Sequence, residues 1–269
     1  VSDADDLALA LELADHADAI TKERFRANDL RVDTKPDDTP VTDADRRVEE
    51  MVRARVAAAR PSHAVLGEEQ GSSGDAEWRW IVDPIDGTKN FARGVPVWAT
   101  LLSLQHRGVE TCAVVSAPAL GRRWSARRGA GAYCNGDALH VSTVATLEQA
   151  TLSVTDVRDF ARHGWGEGFT RLAQACRMVR GFGDFWSHML VAEGAIDCGV
   201  EPVINEWDIS AARLIVREAG GQFSDFAGAD RCDGGNVVTS NGLLHAQVLS
   251  CLHEHTDPLT ASGSPRPVR

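Results

Sequence analysis

Absences narrow this chain before any motif does. No C-x-x-C pair occurs among its six cysteines, Cys112, Cys134, Cys176, Cys198, Cys232 and Cys251, so neither a thiolate metal site nor a disulfide framework is indicated. A reducing compartment is the default for such usage. No apolar run approaches the ~20 residues that cross a bilayer, and VSDADDLALALELADHADA at the start is acidic where a secretory leader would be basic. A cytoplasmic protein with no membrane partner is expected. Basic charge is also short: 28 Lys and Arg face 39 Asp and Glu, a formal net charge of -11. Phosphate backbones are gripped by basic faces, so no nucleic-acid partner is expected. There is no internal repeat and no H-E-x-x-H.

What remains is an ordinary globular composition, 43% hydrophobic and 25% charged, over a length that can bury a large core. Residues 3–27 carry Leu7, Leu11, Ala14, Ala17 and Ile20 at helical spacing. DTKPDDTPVTDAD (33–45) reads as a loop that ends at Thr42 or Asp43, the cap of a second helix stopped by Pro61. From 78 to 127 the period becomes that of consecutive strands, and GAGAYCNGD reads as a hairpin tip. Strands and helices then alternate, with helices near 166–176, 184–194, 208–219 and 242–254. The pattern argues for sheets layered with helices, an α/β protein. One unit over 1–255 is expected, with halves at about 1–145 (α+β) and about 146–255 (α/β), and a flexible tail at 256–269.

The stretch IVDPIDGTKNF (81–91) ends an apolar strand by placing Asp83 and Asp86 around Pro84-Ile85. A plain turn is one reading. The other is a hard-cation site, because Mg²⁺ takes carboxylate, carbonyl and water oxygens together with substrate phosphate. Pro84 stiffens the bend. The N–H groups of Gly87 and Thr88 offer an anion site, and the Thr88 hydroxyl can orient a water. Asp43 and Asp45, Glu68 and Glu69, and Asp208 also sit at element ends. Each has a bland reading, as a helix cap or a solvated turn.

WIVDPIDGTKNFARGVP (80–96), GEE (67–69), EWDISAARLIVREAGG (206–221) and KPDDTPVTDAD (35–45) together resemble the motif set of the inositol monophosphatase-like, Mg²⁺-dependent phosphatases, in family order over roughly residues 5–252. The resemblance implies an αβαβα sandwich of the inositol monophosphatase and fructose-1,6-bisphosphatase type, usually dimeric. It implies two or three Mg²⁺ held by Glu68, Asp83, the Ile85 carbonyl, Asp86 and Asp208, with Asp45 acting through water. Glu68 and Thr88 would position and activate the attacking water, Asp83 would be the bridging ligand, and Gly87 and Thr88 would bind phosphate. No Cys, Ser or His nucleophile lies near the motifs, which suits direct attack by water.

Substrate is read outside the shared motifs. VRGFGDFWSHMLVAEGAIDCG (179–199) resembles the histidinol-phosphate phosphatase branch at Gly183-Asp184 and in its FWSHMLVAEG run. Asp184, Glu201 and Asn205 suit a small phosphate monoester bearing an ammonium and a hydrogen-bonding ring, so hydrolysis of L-histidinol phosphate in histidine biosynthesis is expected. Asp184 has a bland alternative as the cap of the next helix. The competing expectations are an inositol-1-phosphate phosphatase, a bisphosphate nucleotidase, and a non-catalytic metal- or ligand-binding module. His188 reads as a core or interface histidine.

Overall fold

Strands that are apolar on both faces must be covered on both faces, and the middle of this chain is written that way. The structure, a computed structural model, describes residues 3–36 and 38–253; the tail expected over 256–269 lies outside the described residues. Numbered along the chain, α1 (Asp3–Arg24) leads into a small hairpin of β1 (Val32–Thr34) and β2 (Pro40–Thr42), then α2 (Asp43–Ala59). This hairpin occupies most of the segment expected to be a loop. Next come β3 (Ala64–Gly67), β4 (Gly71–Ser72), β5 (Trp78–Asp86), α3 (Thr88–Ala92), β6 (Ala99–His106), β7 (Val109–Ala117), β8 (Arg122–Arg127), β9 (Ala132–Cys134) and β10 (Asp137–Ala138). They form an eight-stranded sheet in the order β10-β9-β8-β7-β6-β5-β3-β4.

The second half supplies β11 (Thr151–Ser153), α4 (Val157–Arg162), α5 (Gly166–Ala175), β12 (Met178–Arg180), α6 (Asp184–Ala192), β13 (Cys198–Glu201), α7 (Glu206–Glu218), β14 (Gln222–Ser224), β15 (Val237–Ser240) and α8 (His245–His253). Its five-stranded sheet runs β12-β11-β13-β15-β14, and β11 is parallel to both of its neighbours.

Successive side chains of a strand point to opposite faces, so adjacent residues enter different cores. Leu102 and Val114 pack with Leu13, Ala17, Val48 and Val52 of α1 and α2. Their chain neighbours Leu101 and Val115 pack with Phe185, Met189, Ile209 and Ile215 of α6 and α7. The far face of the smaller sheet, with Leu152, Val200 and Val238, is closed by Leu172 of α5 and Val248 and Leu252 of α8. The layers are therefore α1/α2, large sheet, α6/α7, small sheet, α5/α8, the expected αβαβα sandwich. Each large apolar side chain buried this way contributes roughly 1.5–3 kcal/mol.

The fold gathers chain ends at one place. β3 and β5 run parallel, with Gly67 at the end of β3 paired to Val82, one residue before Asp83. The N-termini of α6 and α7 reach the same region from the layer beneath, and parallel β11 and β13 direct their carboxyl ends toward it, the usual location for sites on α/β sheets.

Close packing leaves no slack where α5 meets α8. A Cβ on Gly168 would lie 2.3 Å from the Leu252 carbonyl oxygen. Gly168→Ala should lower unfolding stability by about 1–3 kcal/mol, read as a shifted urea midpoint at unchanged slope; an unchanged midpoint would show that the two helices separate without cost.

Candidate active site

Residues three apart on a regular strand face opposite sides, so Asp83 and Asp86 should point away from each other. They do not, because β5 carries an extra residue there. Asp83 pairs with Leu101 and Asp86 with Ala99, which leaves Pro84 and Ile85 opposite the single Thr100. This is a β-bulge, and it swings both carboxylates to one side. It is held from three directions. The Thr100 hydroxyl donates to the Pro84 carbonyl at 2.8 Å. The Ile85 side chain is fully buried with Ala44, Phe91 and Trp98. The Ile85 carbonyl accepts the Thr88 hydroxyl at 2.8 Å. Gly87, at φ 82, then turns the chain into α3, and a Cβ there would sit 3.0 Å from the Val97 carbonyl oxygen.

Asp208 arrives from α7. It is the third residue of that helix rather than its cap: Asn205 is the N-cap, and Asp208 Oδ2 accepts from Asn205 N at 2.8 Å and from Asn205 Nδ2 at 3.3 Å. The first turn is anchored by Glu206, which accepts from Arg79 Nη2 at 2.5 Å and Gln105 Nε2 at 3.3 Å on the large sheet. Carboxylate oxygens of Asp83, Asp86 and Asp208 thereby come within 4.8 Å of one another. One oxygen of Asp86 is tied, accepting from Phe185 N at 2.5 Å, and one of Asp208 is tied to Asn205. Asp83 Oδ1 is buried with no hydrogen-bond partner among the described residues. A buried carboxylate oxygen without a donor, facing two more carboxylates, suits a divalent cation that takes oxygen ligands. The residues fit one.

Glu68 also lines the cavity, but its Oε1 is 2.8 Å from Lys35 Nζ, and Lys35 bridges to Glu69 Oε1 at 2.7 Å. Asp45 stands behind the cluster. Its Oδ2 closes the capping box of α2, accepting from Thr42 N at 2.8 Å and Thr42 Oγ1 at 2.5 Å, while Oδ1 lies 3.2 Å from the Thr88 hydroxyl. Thr88 has one proton and two acceptors, Asp45 and Ile85. The structure thus brings together Asp83, Asp86 and Asp208, sets Glu68 and the Ile85–Thr88 turn around them, and uses Asp45 to orient Thr88.

Crowding shows in the proton affinities. Burial, then the charge of Glu68, holds the Asp83 carboxyl well above its ordinary range. Burial and Asp184 do the same to Asp86. Burial pushes Asp208 up to about 7, against the Asn205 hydrogen bonds, and Asp45 to about 7 against those from Thr42.

The whole cavity is about 270 Å³, and the rest of its lining is also acidic. Asp184 starts α6 at φ 48 without capping it. Its Oδ2 lies 3.2 Å from Asn90 Nδ2, and burial together with Glu201 raises it to about 6. Glu201, ending β13, accepts the Thr155 hydroxyl at 2.6 Å through Oε1. Asp156 and Asp159 line the same wall. Asn205 lines the cavity too, with its amide engaged on Asp208. The sequence reading passed over Lys35, Asn90 and Thr155. A hydroxyl just past a strand that precedes a parallel neighbour was the available signal for Thr155.

These raised affinities fix the sign of a pH effect. Each native value exceeds the unfolded 3.8, so the protonated native form is favoured. The associated stability is full below about 4 and is lost as pH rises through about 7. His245, pushed down to about 4 by burial, opposes this, but equally in parent and variant. In EDTA, Asp208→Asn should melt above the parent at about pH 8 and together with it at about pH 4. Melting below the parent at both would mean the charges are not in conflict.

The comparisons agree with this geometry. Residues 3–261 match the pattern of the Inositol monophosphatase family. The chain is 53% identical over 255 residues, 93% of its length and 98% of the relative's, to a histidinol-phosphatase of Mycobacterium tuberculosis. It is 46% identical over 259 residues, 93% of its length and 97% of the relative's, to a histidinol-phosphatase of Streptomyces coelicolor. Among solved structures it is similar to an IMPase of Thermotoga maritima, with a TM-score of 0.83 and 32% identity over 92% of this chain and 96% of that one. With the family pattern matched over nearly its whole length, and with sequence and fold shared with these proteins, the chain belongs to the inositol monophosphatase family.

Proposed function

We propose that this chain is a Mg²⁺-dependent phosphomonoesterase that hydrolyses L-histidinol phosphate to L-histidinol and phosphate. One observation carries the choice of substrate: the cavity beyond the Asp83, Asp86 and Asp208 cluster is walled by further carboxylates, Asp184 and Glu201 foremost. Such a wall repels a second phosphate and attracts an ammonium. It therefore disfavours a bisphosphate nucleotide, and it gives nothing to the neutral hydroxyls of an inositol phosphate that a cation would not use better. The two relatives named as histidinol-phosphatases support the same reading.

Asp83, Asp86, Asp208 and Glu68 would hold two or three Mg²⁺, with the Ile85 carbonyl as a neutral ligand and Asp45 acting at longer range. Bound Mg²⁺ supplies Lewis-acid polarisation of the phosphoryl oxygens and makes a bound water more acidic. Backbone N–H groups of Gly87 and Thr88, at the start of α3, receive phosphoryl oxygens. Glu68 and the Thr88 hydroxyl fix the attacking water in line with the leaving oxygen. Thr88 can do so because Asp45 and Ile85 are its alternative acceptors, so its proton has two resting places. Asp184, Glu201 and Asn205 hold the organic end and keep it from rotating, which gives the attack its geometry.

Phosphate release from histidinol phosphate, inositol-1-phosphate and an adenosine bisphosphate, each with Mg²⁺ and with EDTA, tests the reading. The expected result is release that needs Mg²⁺ and prefers histidinol phosphate; preference for inositol-1-phosphate would leave the metal chemistry and remove the substrate. Asp83→Asn should lower kcat on every ester by about 10²–10³-fold or more, the scale of losing a major electrostatic contact in the transition state. Near-parental turnover would exclude it as a ligand. Asp184→Ala should raise KM for histidinol phosphate well beyond its effect on inositol-1-phosphate, and equal effects would leave Asp184 without a substrate role.

A further inference from the structure

His188 is 1% exposed on α6, yet it lines the cavity. Its Nδ1 is 2.9 Å from the Thr239 hydroxyl oxygen. Its Nε2 has no hydrogen-bond partner among the described residues and lies 3.6 Å from Glu201 Oε1. A histidine that merely fills a core pairs both ring nitrogens or points the unpaired one at apolar atoms. This one points at a carboxylate. The same Oε1 accepts the Thr155 hydroxyl at 2.6 Å, and the Thr155 oxygen in turn accepts Asp184 N at 2.8 Å. Thr155 and His188 therefore converge on one oxygen of Glu201, and Thr155 also fixes the start of Asp184.

We propose that His188 is a positioning residue for the organic cation of the substrate: with Thr155 it holds Glu201 Oε1, so that Oε2 is presented to the ligand. The inference rests on the histidinol-phosphate reading. Of the two neutral tautomers, a proton on Nδ1 would set the Nε2 lone pair against the Glu201 carboxylate. A proton on Nε2 gives Glu201 a donor and lets Nδ1 accept from Thr239, so the Nε2–H tautomer is the native one. The 3.6 Å separation is longer than a hydrogen bond, and it closes when an ammonium draws Glu201 into place, as polar contacts in a site tighten around ligand. Thr155 thus orients Glu201 before the substrate arrives, and His188 completes the hold as the ammonium binds.

Two substitutions separate the two ring nitrogens. Asn at 188 reaches Thr239 but not Glu201, whereas Gln extends a donor to where Nε2 lies. His188→Asn should raise KM for histidinol phosphate about tenfold, the scale of one hydrogen bond to a charged group. Its kcat, its Mg²⁺ half-saturation and its KM for inositol-1-phosphate should stay near parental. His188→Gln should restore most of the KM. Equal losses on both esters, or a fall in kcat with KM unchanged, would reduce His188 to core packing and overturn the proposal. A second measurement does not depend on the Asn variant folding. Nitrogen NMR of ¹⁵N-histidine-labelled parent, with the His188 signal assigned by its absence in His188→Gln, should show the proton on Nε2, and a proton on Nδ1 would overturn it. Failure of the substrate reading looks different: the parent itself would prefer inositol-1-phosphate, and the inference would fall with it.

Discussion

Like charges forced together out of water are the constraint on which this structure turns. Three aspartates from two distant segments share a space a few ångströms across, with Glu68 and Asp184 beside them, and the low local dielectric magnifies their repulsion. A fold that keeps such a cluster holds it by other means, and each means is visible. A bulge turns β5, the α6 amide of Phe185 takes one oxygen of Asp86, a capping pair takes one of Asp208, and an ion pair anchors α7 through Glu206. In the two aspartates held by hydrogen bonds, Oδ2 takes the donors and no donor among the described residues is spent on Oδ1. That arrangement orients ligands before any ion binds.

The same economy ties the two sheets together. Asp86 belongs to the large sheet and Phe185 to the layer beneath it, so the hydrogen bond between them is a joint between the halves of the chain as well as a support for the site. Asn90 reaches across in the same way to Asp184. Lys35 extends this logic to the β1–β2 hairpin, where one ammonium pairs with both Glu68 and Glu69 and offsets half their charge. An ammonium on a tether is always present at high effective concentration, so any ion at Glu68 binds next to a positive charge already in place.

Much of this was legible in the residues. The acids at element ends, the Asp-Pro-Ile-Asp-Gly-Thr run and the layered alternation led to the fold and the metal cluster, because periodicity and local composition are written in order along the chain. What stayed hidden depends on register and on distance in space. The bulge cannot be seen in WIVDPID, since the extra residue exists only relative to Thr100 on β6. Asp208 read as a cap because an acid at a helix start usually is one, and Asn205, immediately before α7, took that place. Lys35 sat in a stretch that looked like plain loop. His188 looked like core, and it is buried, but its free nitrogen is apparent only once Glu201 is beside it.

The bulge also determines how the site can change. Exchanging one side chain for another leaves four residues, 83 to 86, spanning the space of three. Ironing the bulge out would give those four residues four places on a regular strand, and by the two-residue period of a strand Asp86 and every later side chain would change face. Asp86 would then turn away from Asp83 with its identity intact. The metal cluster is thus encoded in the register of β5 against β6 as firmly as in the acids themselves.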